Sequence, residues 1–309
     1  MVVFPHTAKS LEINPVRRPS IKTTTGNIAK RKRVNSVFHA ILLLCILFSF
    51  LMLFLLLKDV LSNGMKFLNI DFLYKYTSRF PEQAGIRAAI AGTVYIIVLA
   101  AMLAFPIGTG AAIYLEEYAK KSKVSEFIKL NINNLAGIPA IVYGILGLTL
   151  YVRFFGFGRS ILAAALTMGT LILPIIIVAA SEALKTVPKD LKEASYALGA
   201  TRWQTISSVI LPYSMPGILT GTILAVSRGI GEASPLVVIG GAAGIWFSPK
   251  SLLDGFTTLP LQIYTWSSQP KADFQMVAAS GILVLLMVLF TINLAAIILR
   301  NKYQDRIRR

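Results

Sequence analysis

From Val37 to Leu57 the chain runs without a formal charge, and only His39, Cys45 and Ser49 are even mildly polar. The hydrocarbon core of a bilayer is about 30 Å thick, which a helix crosses in roughly 20 residues. Inside lipid every backbone N–H and C=O must find its partner within the segment, so a lone apolar run of this length reads as a membrane-spanning helix. Composition agrees: 55% of the 309 residues are hydrophobic and mean hydropathy is +0.67. The run follows 36 hydrophilic residues and has no small-residue cleavage site behind it, so it reads as a retained helix and not as a signal peptide. Its Cys45 is the only cysteine, which excludes an intrachain disulfide and suits a small buried apolar position.

Five more apolar segments follow, at Ile86–Leu115, Leu135–Val152, Ile161–Ala180, Met215–Ile239 and Gln275–Leu299. The expectation is therefore an all-α integral membrane protein with six transmembrane helices. The second segment is interrupted by Phe105-Pro106-Ile107-Gly108, where a kink would free a carbonyl that only protein or a water-lined path can accept. The third carries Gly137, Pro139, Gly144 and Gly147, small residues that let helices approach closely. Residues 1–36, with Pro5, Pro15, Pro19 and the run Lys30-Arg31-Lys32-Arg33, show no apolar period and are expected to be a disordered basic tail.

The net charge of +17 is explained largely by topology. With the N-terminus inside, segments 1–36, 116–133, 181–212 and 300–309 hold 21 of the 31 Lys and Arg, the outer segments hold 9, and Arg228 lies within a span. That bias places both termini in the cytoplasm. The Lys30–Arg33 run borders a span, where each cation near anionic membrane lipids contributes about 1 kcal/mol. No aromatic residues interleave with the run, and no nucleic-acid partner is expected.

Segment 181–212 is the most informative stretch. Pro188 suits a first helical turn, Gly199 a left-handed helix stop, and Thr201 with Gln204 forms a capping box that opens a second helix closed by Pro212. A cytoplasmic helix–turn–helix of this kind suits docking onto another protein. Its residues resemble the coupling loop of ABC importer permeases, which reads Glu-Ala-Ala, three residues, Gly, nine residues, Ile, one residue, Leu-Pro. Here Glu193-Ala194-Ser195, Gly199, Val209 and Leu211-Pro212 stand at that spacing, with Ser195 for Ala and Val209 for Ile. The resemblance implies that Glu193, Ala194, Gly199, Leu211 and Pro212 belong to a loop that docks on an ATPase subunit.

The chain has no G-x-x-x-x-G-K-[ST] run, so ATP is expected to bind a separate polypeptide. There is no Ser/His/Asp set and no Cys/His cluster, and the two histidines are His6 and His39. Neither an enzyme nor a cofactor is expected. The second notable constellation is Ser227-Arg228-Gly229-Ile230-Gly231-Glu232-Ala233-Ser234-Pro235. Charged groups inside a span cost roughly 2.5–3.5 kcal/mol each on insertion scales and usually pair or face a cavity. Arg228 and Glu232, four apart on one helix face, are open to two readings: a mutual ion pair, or the lining of an anion route. Arg suits an oxyanion because its planar fork donates two parallel hydrogen bonds.

Together with residues 112–118, 134–144, 197–205 and 259–266, this motif resembles the A-type permease of the phosphate-specific ABC importer, across residues 85–300. The resemblance implies a type I importer permease domain over 37–300, a basic C-terminus at 301–309, and a place in the plasma (inner) cell membrane. It implies Arg228 and Glu232 on the translocation path. It also implies a homologous second permease, two cytoplasmic ATPases and an extracytoplasmic phosphate-binding protein as partners. The family often reads Glu-Thr-Ala-Pro where this chain has Glu232-Ala233-Ser234-Pro235. A same-class permease for molybdate, sulfate or phosphonate is the alternative, and a gradient-driven transporter would leave the coupling loop without a purpose.

Overall fold

The computed structural model describes residues 28–308 except 121, 242, 243 and 248, and at residues 28–30, 303 and 305–308 the backbone alone. Among the described residues all regular structure is helical. The longer elements are α1 (Ile28–Gly64), α2 (Ile70–Tyr74), α3 (Arg87–Ile113), α4 (Lys123–Ala136), α5 (Ala140–Gly147) and α6 (Ile161–Lys185). After them come α7 (Lys189–Ala197), α8 (Arg202–Thr205), α9 (Leu211–Ile230), α10 (Ser234–Ile239), α11 (Leu259–Ser267) and α12 (Ala272–Arg308). Wider π turns continue α3, α5 and α8 at Tyr114–Tyr118, Leu148–Phe154 and Ile206–Ile210.

The structure divides at Leu55/Leu56 into two units. Described by itself, the first carries α1 up to Leu55. No Gly or Pro interrupts α1 before Gly64, and the Lys and Arg of its first turns are good helix formers, so the helix already includes Ile28–Ser36. That corrects the boundary of the expected irregular tail; residues 1–27 lie outside the described ones. Cys45 is exposed, against the expectation of a buried position. Phe50 and Phe54 on the same helix are also exposed, a surface suited to acyl chains.

The second unit, Leu56–Arg309, is organised around α6, which packs against α3, α4, α5 and α9. Van der Waals packing, not the hydrophobic effect, holds helices together in lipid, and small residues make it possible. On α3 the i, i+4 series Ala100, Ala104, Gly108 and Ala112 is buried, and an added Cβ at Gly108 would lie 2.8 Å from Ile176. On α9, Gly217 and Gly221 meet Ala183 and Ala179 of α6 at 2.9 and 2.3 Å by the same measure. The N-terminus of α6 is closed by three acceptors. Ser160 Oγ accepts from the Ala163 amide at 3.3 Å, and the carbonyls of Asp254 and Leu252 accept from Ile161 and Leu162 at 3.1 and 2.9 Å. The turn that supplies those carbonyls is held by Asp254 Oδ2, which accepts the amides of Lys250 and Ser251 at 2.8 and 2.9 Å.

Among the described residues, five helices are long and apolar enough to cross a membrane: Arg31–Gly64, Arg87–Tyr118, Ile161–Lys185, Arg202–Ile230 and Ala272–Lys302. The third expected span is not one straight helix. Residues Lys123–Ala136 and Ala140–Phe154 meet at 99°, and counting this bent pair as one crossing gives six. Pro139 is the cause: its ring disfavours helical geometry at Ile138 and fixes its own φ, with ψ near 134°. The fifth span also differs. The helix ends at Ile230, and Gly231–Ala233 separate it from α10, so Met215–Ile239 is broken. By contrast, α3 continues through Pro106 to Ile113.

Candidate functional site

Segment 181–212 is set by local chemistry. Thr201 Oγ1 accepts the Gln204 amide while the Gln204 side chain accepts the Thr201 amide, completing the expected capping box. Gly199 adopts φ +81°, the left-handed region expected of a helix stop. Pro188 precedes α7 as its cap residue instead of occupying its first turn. Pro212 does not close the second helix, which corrects the expectation. The π turn Ile206–Ile210 shifts the hydrogen-bond register, with the Leu211 amide bonding Ile206 O, so the missing N–H of Pro212 falls in the first turn of α9. The helix therefore runs from Arg202 to Ile230, linking the segment directly to the Arg228 region.

One side of this segment is anchored and the other is open. Thr205, Ile206 and Ile210 are fully buried, the two isoleucines against Leu184, Val187 and Ile218. Ser195 and Thr205 hydroxyls lie 2.9 Å apart, tying α7 to α8. Glu193, Ala194 and Gly199 are exposed, Leu211 and Pro212 half-buried. Leu198 stands 90% exposed and Trp203 62% exposed. Large apolar side chains beside charged ones, at a loop between spans, form a surface suited to a protein partner.

Arg228 and Glu232 flank the break after α9. Arg228 is in the last turn, where a cation complements the helix dipole, and Glu232 lies two residues before the start of α10. They are not four apart on one continuous helix face, as the sequence suggested. Arg228 Nε stands 4.0 Å from Glu232 Oε1, beyond hydrogen-bond length, and their side chains are 57% and 26% exposed. Both line a narrow crevice of about 10 Å³, room for about one water, with Leu135 and Ala136 of α4, Ile138 and Ala140 at the elbow, and Tyr143 of α5. Tyr143 donates to Leu135 O at 2.8 Å, pinning the elbow. Gly144 lets α5 meet α10 closely, since its added Cβ would stand 2.8 Å from Pro235 Cα. Next to Arg228, Ser227 Oγ donates to Asn293 Oδ1 of α12 at 2.5 Å, fixing the rotation of α9. Sequence reasoning missed Tyr143 and Asn293. Each is a polar side chain inside an apolar run, the signal that could have found them.

The structure also joins segment 181–212 to the turn that continues α3. Lys192 pairs with Glu117 at 2.5 Å, Arg202 donates to the Glu117 carbonyl, and the Arg202 guanidinium lies 5.0 Å from the Tyr118 ring centre. Among the described residues no group of three His, Cys, Asp or Glu is placed to hold a metal ion.

Residues 104–309 match the binding-protein-dependent transport system inner membrane component family. The chain is 34% identical over 301 residues to the phosphate transport system permease protein PstA 1 of Mycobacterium tuberculosis, covering 94% of this chain and 96% of that protein. It is also 34% identical to the probable ABC transporter permease protein YqgI of Bacillus subtilis, over 78% of this chain and 86% of that one. In three dimensions it resembles a chain of a bacterial alginate ABC transporter, with a TM-score of 0.64 at 15% identity, covering 90% of this chain and 98% of that one. These relationships show that the chain belongs to the family of binding-protein-dependent transport system inner membrane components.

Proposed function

We propose that the chain is the permease subunit of an ATP-driven importer of inorganic phosphate, lining part of the translocation path. The observation that carries this reading is Arg228. It is a guanidinium at a helix break in the membrane domain, facing a narrow crevice and held only loosely by Glu232. Its fork suits a tetrahedral oxyanion. Glu232 keeps the site near neutral when the anion is absent and tempers its grip when present, so binding stays weak enough for release. The relatives named as phosphate transport permeases support the choice of anion.

In this reading both termini are cytoplasmic, the bent α4–α5 pair makes one crossing, and the protein lies in the plasma membrane. The face bearing Leu198 and Trp203 docks on one of two ATPase subunits. A homologous second permease completes the path, and a phosphate-binding protein delivers the anion to the outer loops. ATP-driven closure of the ATPases draws the coupling segments together and opens the path outward; hydrolysis returns it.

Uptake of labelled phosphate by cells lacking the chain, and by cells with it restored, tests the reading, with excess molybdate and sulfate as competitors. Restored uptake that ignores both competitors is expected. Uptake abolished by either competitor, or unchanged by the chain's loss in cells with no other phosphate importer, would overturn the choice of anion.

A further inference from the structure

We propose that the π turn Tyr114–Tyr118 is the mechanical junction through which the coupling segment moves the elbow beside Arg228, with Glu117, Lys192, Glu116 and Lys129 as positioning residues. The inference rests on the docking role given above to segment 181–212. Among the described residues, three ion pairs join side chains three or four positions apart. The two that link distant elements both begin at this turn. Glu117 pairs with Lys192 of α7 at 2.5 Å, and Glu116 pairs with Lys129 of α4 at 2.8 Å.

Adjacent residues on a helix point about 100° apart, so neighbouring glutamates can hold two different elements. Here they do. Neither α4 nor α7 has a buried residue of its own, so core burial does little to hold either one. The glutamates are well shielded, with side chains 12% exposed at Glu116 and 9% at Glu117, where attraction is less screened than at an open surface. Arg202 adds two further contacts to the same turn, to the Glu117 carbonyl and the Tyr118 ring, so both helices of the coupling segment grip it.

The other arm reaches the crevice. From Lys129, α4 continues to its end at Ala136, and Leu135 and Ala136 line the Arg228 crevice just before the 99° elbow. A pull on α7 is therefore passed by Glu117 to the turn, by Glu116 to α4, and by α4 to the wall facing Arg228. The break at Gly137–Pro139 is the hinge where this displacement becomes a change in crevice shape.

The test uses the complete transporter in proteoliposomes with its binding protein, and reads labelled inorganic phosphate moved per ATP hydrolysed. Glu117→Gln, Lys192→Met and Glu116→Gln should each keep subunit assembly and ATP hydrolysis while lowering that ratio roughly 2- to 30-fold, the span of such coupling effects. The exchange Glu117→Lys with Lys192→Glu should restore it. A second readout needs no phosphate: in a Cys45→Ser background, spin labels at Glu126 of α4 and Asp190 of α7 should keep their distance when ATP binds. With Glu117→Gln the distance should change. Unaltered ratios in the single variants, an exchange as poor as its parents, or a label distance indifferent to Glu117→Gln would overturn the junction. A wild-type complex that moves another anion would overturn only the phosphate reading, because the label distances still report the junction.

Discussion

Gly221→Ala should loosen the crossing of α6 and α9, and Ala179→Gly should repair it. A methyl at position 221 would stand 2.3 Å from Ala179 Cβ, whereas carbon atoms rest about 3.5–4.0 Å apart. No rotamer relieves this, because Ala179 Cβ is fixed to its backbone. The helices must separate by more than about 1 Å, and overpacking of this kind costs roughly 1–3 kcal/mol. Removing the Ala179 methyl leaves Ala179 Cα as the nearest atom, at 3.5 Å, an ordinary contact. Ala179→Gly alone should cost about 0.5–1 kcal/mol for an extra glycine in a helix. The double variant should then be no less stable than Ala179→Gly, a coupling of about 1–3 kcal/mol. Reversible unfolding of the four proteins in detergent micelles measures this cycle. A neutral Gly221→Ala, or one that Ala179→Gly fails to rescue, would show that the two helices do not cross at these residues.

Arg228→Gln should abolish phosphate uptake while the subunits still co-purify; normal uptake by a well-expressed variant would remove Arg228 from the path. At Gly199, φ +81° with open space around it makes the cost purely conformational. Asn should be tolerated, Ala should lose about 1–2 kcal/mol locally, and Pro, which also deletes the amide bonded to Tyr196 O, should uncouple ATP hydrolysis from transport. Retention of the ATPase and the transport ratio rank the three, and equal behaviour would refute the argument. Asp254 accepts two backbone amides, which hold its carboxyl below the ordinary value of 3.8. Because the folded value is the lower one, the turn's support is complete above 3.8 and lost as pH falls through the depressed value. Hydrogen exchange at Ile161 and Leu162 should accelerate over that window, and Asp254→Asn should flatten the dependence.

Local signals survived the passage to three dimensions. Thr201 with Gln204 and the left-handed Gly199 depend on side chain and backbone within one turn, so spacing alone could reveal them. The apolar runs gave the spans because lipid demands length. Breaks were harder to read. Pro139 bends its chain by 99° and Pro106 lets its helix continue, while Pro212 is absorbed by a π turn that no pattern announced. What a proline does depends on whether neighbours satisfy the freed carbonyl, which is a tertiary fact. The pairing of Arg228 with Glu232 was legible as proximity, but its 4.0 Å looseness comes from the end of α9 at Gly231. The links from Glu116 and Glu117 to Lys129 and Lys192 join residues too far apart in the chain for any spacing rule.

The elbow also constrains how the protein sits in the membrane. Ala140–Phe154 spans 15 residues, about 22 Å as a helix, short of a 30 Å core. Its other arm begins with Lys123, Glu126 and Lys129, charges that favour the water side. The short arm packs against α6 and α10, so it is expected to depend on those two neighbours for a stable place in the bilayer.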